Sequence, residues 1–141
     1  MKEFIKNIKN EKSVTLTNVE FLSNDYNNYP EEVNLNGKDT ITIKEKFQDG
    51  FIISITRTIK SPNDDFFSFL VSFDIKFFFT NEFEDVNYLT NEELIQLIID
   101  EQDTLTCGCT ARASMIISQL SSQLGLGIPI ITPPHLIFEN E

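Results

Sequence analysis

Residues 66–79, with the sequence FFSFLVSFDIKFFF, constrain the fold more than any other stretch of this chain. Every odd-numbered position from Phe67 to Phe79 is apolar, whereas serines, an aspartate and a lysine lie between them. Because neighbouring side chains of a strand point to opposite faces, this pattern predicts a strand with one apolar face. The strand is longer than most, so we expect it inside a sheet with a layer covering its apolar face.

Three further segments alternate in the same way. Residues 14–22 do so with one slip, which a bulge near residues 17–18 would correct. Residues 40–47 and 51–59 flank a turn at residues 48–50, whose glycine tolerates a positive φ. Strands joined by short polar turns predict an antiparallel meander with one polar face.

The C-terminal part of the chain has helical periodicity. Thr90 and Glu93 fit a capping box, and apolar residues then recur at three- and four-residue steps to residue 124. Residues 103–106 either interrupt one helix or separate two, and the pattern does not choose between them. We predict an α+β fold: a four-stranded antiparallel sheet with a long C-terminal helix packed on one face.

Length and charge limit the domain organisation and the partners. The 141 residues suit one domain, which we expect over residues 13–141 after a flexible N-terminal arm over residues 1–12. The formal net charge of −11 would repel nucleic acids and anionic membranes, so neither is an expected partner. No signal-peptide pattern and no bilayer-length apolar run is visible, which predicts a cytoplasmic protein without membrane insertion.

The predicted helix and the segment after it form an uncharged interval. No Asp, Glu, Lys or Arg lies between Arg112 and Glu139, although charged residues are 23% of the chain. Solvent-facing helix surfaces normally carry charge, so we expect this helix to pack on its sheet and on a partner subunit. An exposed serine-rich helix is the alternative. The expected interface residues are Thr110, Ser114, Met115, Ile117, Ser118, Ser121 and Ser122.

The sequence has no residue set typical of catalysis or metal binding. His135 is the single histidine, and packing or exposure in the tail is favoured over a role as general base. Cys107 and Cys109 lack the second ligand pair of a zinc site and are expected to be small buried side chains. The acids of residues 82–103 lack calcium-loop spacing and predict a solvated acidic face. We therefore expect no enzyme activity, no cofactor and no metal.

Short segments along the chain resemble the SecB protein-export chaperones and SecB-like proteins. These segments are TNVEF at residues 17–21, SFL at residues 68–70, AR at residues 111–112 and GIPIITPPHLIF at residues 127–138. The resemblance covers most of residues 13–138 and implies four antiparallel strands, with a long crossover between the first two, under a long helix. It also implies homodimers that pair into tetramers, with the helices between two sheets.

The sequence also departs from the family pattern. The interval from Arg112 to Pro129 is longer than in that pattern, and we expect the family's C-terminal lid helix to be missing. Positions matching the acids that bind the SecA-type translocation motor hold Asn18, Leu22 and Ser72 instead. We therefore expect weak or no binding to that motor.

The resemblance predicts an ATP-independent holdase chaperone. Apolar residues beyond those that a small core requires support this prediction: Phe66, Leu70, Phe78, Tyr26 and Tyr29. Apolar segments of unfolded or partly folded polypeptide clients would enter grooves lined by the crossover and the tail, and the role could lie in protein export. The expected client-binding residues are Leu22, Tyr26, Tyr29, Val33, Leu35, Ile128, Ile130, Ile131, Leu136 and Phe138.

Two other functions stay open. A module dedicated to one partner, such as an antitoxin, would use the same groove for one tight complex. A small-ligand pocket or enzyme on a cystatin-like sheet needs convergent polar groups, and the apolar face offers only Glu45 and Arg57. The identity of the clients, the cellular role and the oligomer size do not follow from the sequence.

Overall fold

The strands and helices have the predicted order. The computed structural model describes residues 8–23, 36–60, 67–80, 89–123 and 130–137. The strands are β1 (Ile8–Ser23), β2 (Asn36–Lys46), β3 (Gly50–Lys60) and β4 (Phe67–Phe79). The helices are α1 (Asn91–Asp100), α2 (Gln102–Leu105) and α3 (Cys107–Gln123). The predicted α+β class, a four-stranded antiparallel sheet with C-terminal helix on one face, is confirmed.

Strand β4 lies inside the sheet, as its pattern predicts. The strand order is β1-β4-β3-β2, and all neighbours are antiparallel. Strands β1 and β2 follow one another in the chain but lie at opposite edges of the sheet. On the polar face, Lys44 Nζ donates to Asp74 Oδ2 at 2.5 Å, and Thr56 and Ser72 share a 2.8 Å hydrogen bond.

The apolar face of the sheet is covered by the helices. The odd positions of β4 from Phe69 to Phe79 are all buried, and the rings of Phe51 and Phe77 lie 5.1 Å apart. Helix α3 packs on β4 and α1 packs on β2. The helices contribute the buried side chains Leu94, Ile98, Leu105, Cys109, Ala113 and Ile117. Each large apolar side chain buried here stabilises the fold by about 2 kcal/mol.

Three shifts in strand register set which residues face the core, and the first lies between Ile8 and Lys12 in β1. The register between β1 and β4 shifts at Thr17, where the slip in alternation predicts it. The shift between Ile43 and Glu45 in β2 differs from the expected alternation. It pairs Glu45 with Ile52 on the outer face, so the expectation of Glu45 on the apolar face is wrong. Lys46 moves to the inner face instead, where its Nζ donates to the carbonyl of Leu89 at 2.9 Å.

The turn between β2 and β3 needs its glycine for a different reason from the expected one. Phe47 N donates to Gly50 O at 2.7 Å, and Phe79 N donates to Asp49 O at 2.7 Å. A Cβ on Gly50 would lie 2.0 Å from the carbonyl oxygen of Phe77. Close approach of the β4 backbone therefore excludes a side chain here, and the backbone is not in the left-handed region.

The helical layer is divided into three segments, which settles the question left open by the sequence. The capping box is confirmed: Glu93 N donates to Thr90 Oγ1 at 3.1 Å, and Thr90 N donates to Glu93 Oε1 at 3.4 Å. Helix α1 ends at Glu101, where φ is −111° and ψ is 27°. A further break at Thr106 separates α2 from α3.

Strand β1 begins within the segment that we expected to be a flexible arm. Ile8 pairs with Phe79 and is buried in the core. Lys12 Nζ donates to the carbonyl of Leu105 at 2.7 Å, at the end of α2. Residues 8–12 therefore belong to the sheet, because an apolar anchor and a helix-end hydrogen bond hold them. The arm remains a prediction for residues 1–7, which lie outside the described residues.

Candidate functional site

The C-terminal tail segment, residues 130–137, lies in a groove beside α3. Three hydroxyl groups of that helix hold its backbone. Ser121 Oγ accepts from Ile130 N at 2.7 Å, and Ser114 Oγ donates to Thr132 O at 2.5 Å. Thr110 Oγ1 donates to the carbonyl of Pro134. Small polar side chains on a helix thus bind an extended chain, because a short hydroxyl lets that chain approach closely.

The floor of the groove is a buried ion pair between β2 and β3. Arg57 Nε donates to Asp39 Oδ1 at 2.8 Å, and Arg57 Nη2 donates to Asp39 Oδ2 at 2.7 Å. This two-bond geometry is the strongest form of an arginine–carboxylate contact. Both side chains are buried, so each charge depends on the other to offset its lost hydration.

The same ion pair binds the tail segment. Arg57 donates to the carbonyls of Pro133 at 2.6 Å and His135 at 2.7 Å, and to Thr132 Oγ1 at 3.1 Å. Asp39 Oδ2 accepts from Ile137 N at 2.8 Å, and Asp39 N donates to Ile137 O at 2.8 Å. The tail therefore joins the free edge of β2 at Ile137. Gln102 Oε1 also accepts from Leu136 N at 3.1 Å.

The expected client-binding residues differ in their exposure to solvent. Leu22 is 68% exposed and Ile131 is 75% exposed, so both side chains are accessible at the surface. Ile130 is half-buried against the core. Leu136 is 3% exposed and fills the core beneath the tail, so its expected role as an open client contact is corrected. The other six expected residues lie outside the described residues: Tyr26, Tyr29, Val33, Leu35, Ile128 and Phe138.

The expected oligomer-interface residues also divide into two groups. Thr110, Ile117 and Ser121 are buried within the chain, and half-buried Ser114 bonds the tail, so this part of the expectation is corrected. The hydroxyls of Thr110, Ser114 and Ser121 bond the tail segment, where we expected them to contact a partner subunit. The outward side of α3 carries exposed Ala111, Met115, Gln119 and Ser122, with Ser118 half-buried.

Apolar side chains are exposed along β1, and of these only Leu22 was among the expected client-binding residues. Leu16 is 48% exposed and Val19 is 37% exposed. They pair with the buried Phe73 and Val71, so they lie on the helix-covered face, at its edge. Leu22 pairs with Ser68 and lies on the opposite face. We call Leu16, Val19 and Leu22 the open edge.

The single histidine and the two cysteines lie in surroundings that suggest a role in packing or solvent exposure. His135 is exposed, and its carbonyl, not its ring, bonds Arg57. Cys109 is buried as expected, whereas Cys107 is exposed, contrary to expectation. Burial, reinforced by the negative charge of Asp39, raises the pKa of Cys109 to about 12. Within the described ranges no group of three or more His, Cys, Asp or Glu side chains could hold a metal ion.

The acidic region also fits its prediction where it is described. Glu92, Glu93, Asp100 and Asp103 are exposed to solvent on α1 and α2. Among the helices described, none combines the length and the apolar character needed to cross a membrane.

Comparison with known proteins identifies the fold. The chain superposes on the SecB-like chaperone Rv1957 of Mycobacterium tuberculosis, solved in complex with a ChAD peptide from the Rv1956 HigA1 antitoxin. The TM-score is 0.63 at 16% identity, over 94% of this chain and 90% of that chain. A protein of unknown function from Streptococcus agalactiae gives a TM-score of 0.42 at 10% identity, over 87% and 96% of the two chains. No protein-family model and no curated protein sequence matches. The fold is therefore SecB-like.

Proposed function

We propose that this protein is a non-catalytic, ATP-independent holdase that binds unfolded or partly folded polypeptides. The observation that carries the proposal is the apolar surface left uncovered along β1 in a fold shared with a SecB-like chaperone. An apolar side chain gains about 1–2 kcal/mol when a client covers it. Several such contacts together are enough for micromolar binding, which corresponds to about 8 kcal/mol.

The proposed client surface consists of the open edge and Ile131. It keeps Leu22 and Ile131 from the sequence-based expectation and adds Leu16 and Val19, whose exposure the structure reveals. Ile130 stays in the proposal as a half-buried flank. Tyr26, Tyr29, Val33, Leu35, Ile128 and Phe138 also stay in it. Their contribution rests on the sequence alone.

The test is suppression of aggregation of several unrelated, chemically unfolded clients, followed by light scattering at stoichiometric amounts. Replacing Leu16 and Val19 together by serine removes about 2–4 kcal/mol of client contact, so holding should weaken at least tenfold. The matched control is Thr40→Ser with Thr42→Ser, two exposed changes on the outer face of β2. Failure of the wild-type protein to slow aggregation of any client would exclude the holdase function.

A chaperone dedicated to one partner is the second candidate. The observation that favours it is the peptide partner of the structural neighbour, which comes from an antitoxin. This alternative predicts one tight partner in place of many weak clients. A titration in which one polypeptide binds far more tightly than all unfolded clients would establish it.

We further propose that the protein is cytoplasmic and assembles as a homotetramer, a dimer of dimers, through the outward side of α3. Met115, Ser118 and Ser122 remain the proposed contacts of the interface expected from the sequence. Met115→Lys should dissociate the larger species, because burying an unpaired ammonium at an interface costs several kcal/mol. Sedimentation of the wild-type protein as a 16.2 kDa monomer would contradict this assembly.

We propose two candidate cellular roles from the resemblance to SecB-like proteins and from the structural neighbour. Protein export is one candidate role, and binding to a SecA-type motor is not expected because Asn18, Leu22 and Ser72 stand in place of acids. Association with a toxin–antitoxin pair is the other candidate role.

A further inference from the structure

The groove that holds the tail segment binds main-chain atoms almost throughout. Eight backbone groups of residues 130–137 are bonded by side chains or by the β2 edge: Ile130 N, Thr132 O, Pro133 O, Pro134 O, His135 O, Leu136 N, Ile137 N and Ile137 O. The hydroxyl of Thr132 is the one tail side chain in these bonds. Contacts of this type do not depend on the sequence of the bound segment.

Some side chains of the tail segment point into the groove, and the others point to solvent. Thr132 and Leu136 point into the groove and are buried, four residues apart. Ile131, Pro133, Pro134 and His135 are exposed. The groove therefore holds a polypeptide that bends at Pro134 and His135, with one apolar anchor at Leu136, and it leaves the side chains between Thr132 and Leu136 exposed.

The groove cannot be left empty at low cost. Without the tail, Arg57 would lose three hydrogen bonds and Asp39 would lose its contacts with Ile137. Buried donors and acceptors that lose their partners cost about 1–3 kcal/mol each, more for charged groups. A second extended backbone would restore these bonds, so exchange between two segments costs far less than simple release of the tail.

We propose that this groove is a binding site for an extended segment of an unfolded polypeptide and that the tail segment is its internal occupant. A client displaces residues 130–137 and inserts an apolar side chain where Leu136 lies. This inference rests on the proposed function and assigns one site for it. It also reverses the role expected for Leu136, which becomes a competitor of the client and not a contact to it.

Leu136→Ala gives the sharpest test because it weakens the tail without changing the groove. A labelled peptide with the sequence of residues 130–137 is added to the full-length variant, and binding is followed by fluorescence anisotropy. The peptide and an unfolded client should each bind at least tenfold more tightly to Leu136→Ala than to the wild-type protein. If Leu136 were a client contact, client affinity would fall instead.

Two further variants locate the effect. His135→Ala is the matched tail control, since the His135 side chain is exposed and its carbonyl is retained. It should leave peptide affinity within about twofold. Adding Ser114→Ala to Leu136→Ala removes a groove donor, so it should cancel part of the gain in affinity. Unchanged or weaker peptide binding by a folded Leu136→Ala protein overturns the proposal.

Hydrogen exchange of the wild-type protein decides the question even where a variant fails to fold. Saturation with an unfolded client should speed exchange at the amides of Ile130 and Ile137 at least tenfold if the client displaces the tail. Client binding without faster exchange overturns this inference and leaves the holdase function intact. If no client binds, the holdase function fails, and peptide binding to Leu136→Ala still decides whether the groove accepts a chain in trans.

Discussion

The two edges of the sheet are completed in opposite ways. At β2, the tail segment joins the edge at Ile137, and the buried Asp39–Arg57 pair holds it. At β1, Leu16 and Val19 extend the apolar face beyond the cover of the helices. One edge is closed by polar contacts within the chain, and the other leaves apolar side chains at the surface. We therefore expect stability to depend mainly on the first edge, and we expect the second edge to add apolar contacts to a bound client.

Breaking the ion pair should have the largest effect on the closed edge. Arg57→Met leaves the buried carboxylate of Asp39 without its charged partner and removes three bonds to the tail. We expect a loss of about 3–5 kcal/mol in the free energy of unfolding, measured by urea denaturation. Lys44→Met is the control. The Lys44 side chain of the Lys44–Asp74 ion pair is 58% exposed, so this pair should contribute less than ~1 kcal/mol to the free energy of unfolding. Equal losses in the two variants would show that the closed edge does not carry the stability.

Val19 and Val71 are register partners of the same residue type, so they allow a direct comparison of the open edge with the buried core. Val71 is fully buried on β4, and Val19, its register partner on β1, is 37% exposed. Val71→Ala should cost about 2 kcal/mol of unfolding free energy, and Val19→Ala less than about 1 kcal/mol. Client binding should respond in the reverse order, with a measurable loss for Val19→Ala. If the two valines contributed equally to stability, the open edge would have to be covered in solution.

The two cysteines allow a direct comparison of a buried and an exposed side chain of the same type, with the smallest expected effect on the protein. Because the pKa of Cys109 is raised to about 12, its thiol should stay protonated at pH 8 as well as buried. Cys107, which is exposed, should be alkylated by iodoacetamide at least tenfold faster. Mass spectrometry of the digested protein can assign each adduct. Rapid labelling of Cys109 in the native protein would show that α3 leaves the sheet readily.

Local pattern predicted most of the fold. The alternation in β3 and β4, the capping box at Thr90 and the bulge at Thr17 all depend on residues close in sequence. Such patterns indicate which face of a strand or helix is buried. The predicted buried face agrees with the structure for β4 and for most of α1. The bulge between Ile43 and Glu45 has no corresponding slip in apolar spacing, so it could not be predicted from the local pattern.

The groove could be predicted much less well, because its contacts join distant residues. Asp39 and Ile137 are 98 positions apart, and neither is unusual where it stands. The serines and threonines of α3 were noticed as an uncharged surface, but a partner helix and an extended tail both fit small hydroxyl side chains. The one usable sign was the uncharged tail that follows them, since an uncharged segment with four apolar residues between 130 and 137 needs a surface of its own.

The placement of β1 and β2 at opposite edges has a consequence for the order of folding. Strands β2, β3 and β4 are neighbours both in the chain and in the sheet, so they can assemble through short-range contacts. Strand β1 pairs with β4, so the contact between Leu16 and Phe73 spans β2 and β3 and closes a longer loop than either hairpin. The bond between Asp39 and Ile137 closes a loop of 98 residues, which adds a further but small entropic cost. The helices that cover the phenylalanine-rich strand follow it in the sequence, so during synthesis β4 emerges before its own cover and leaves its apolar face open to other partners.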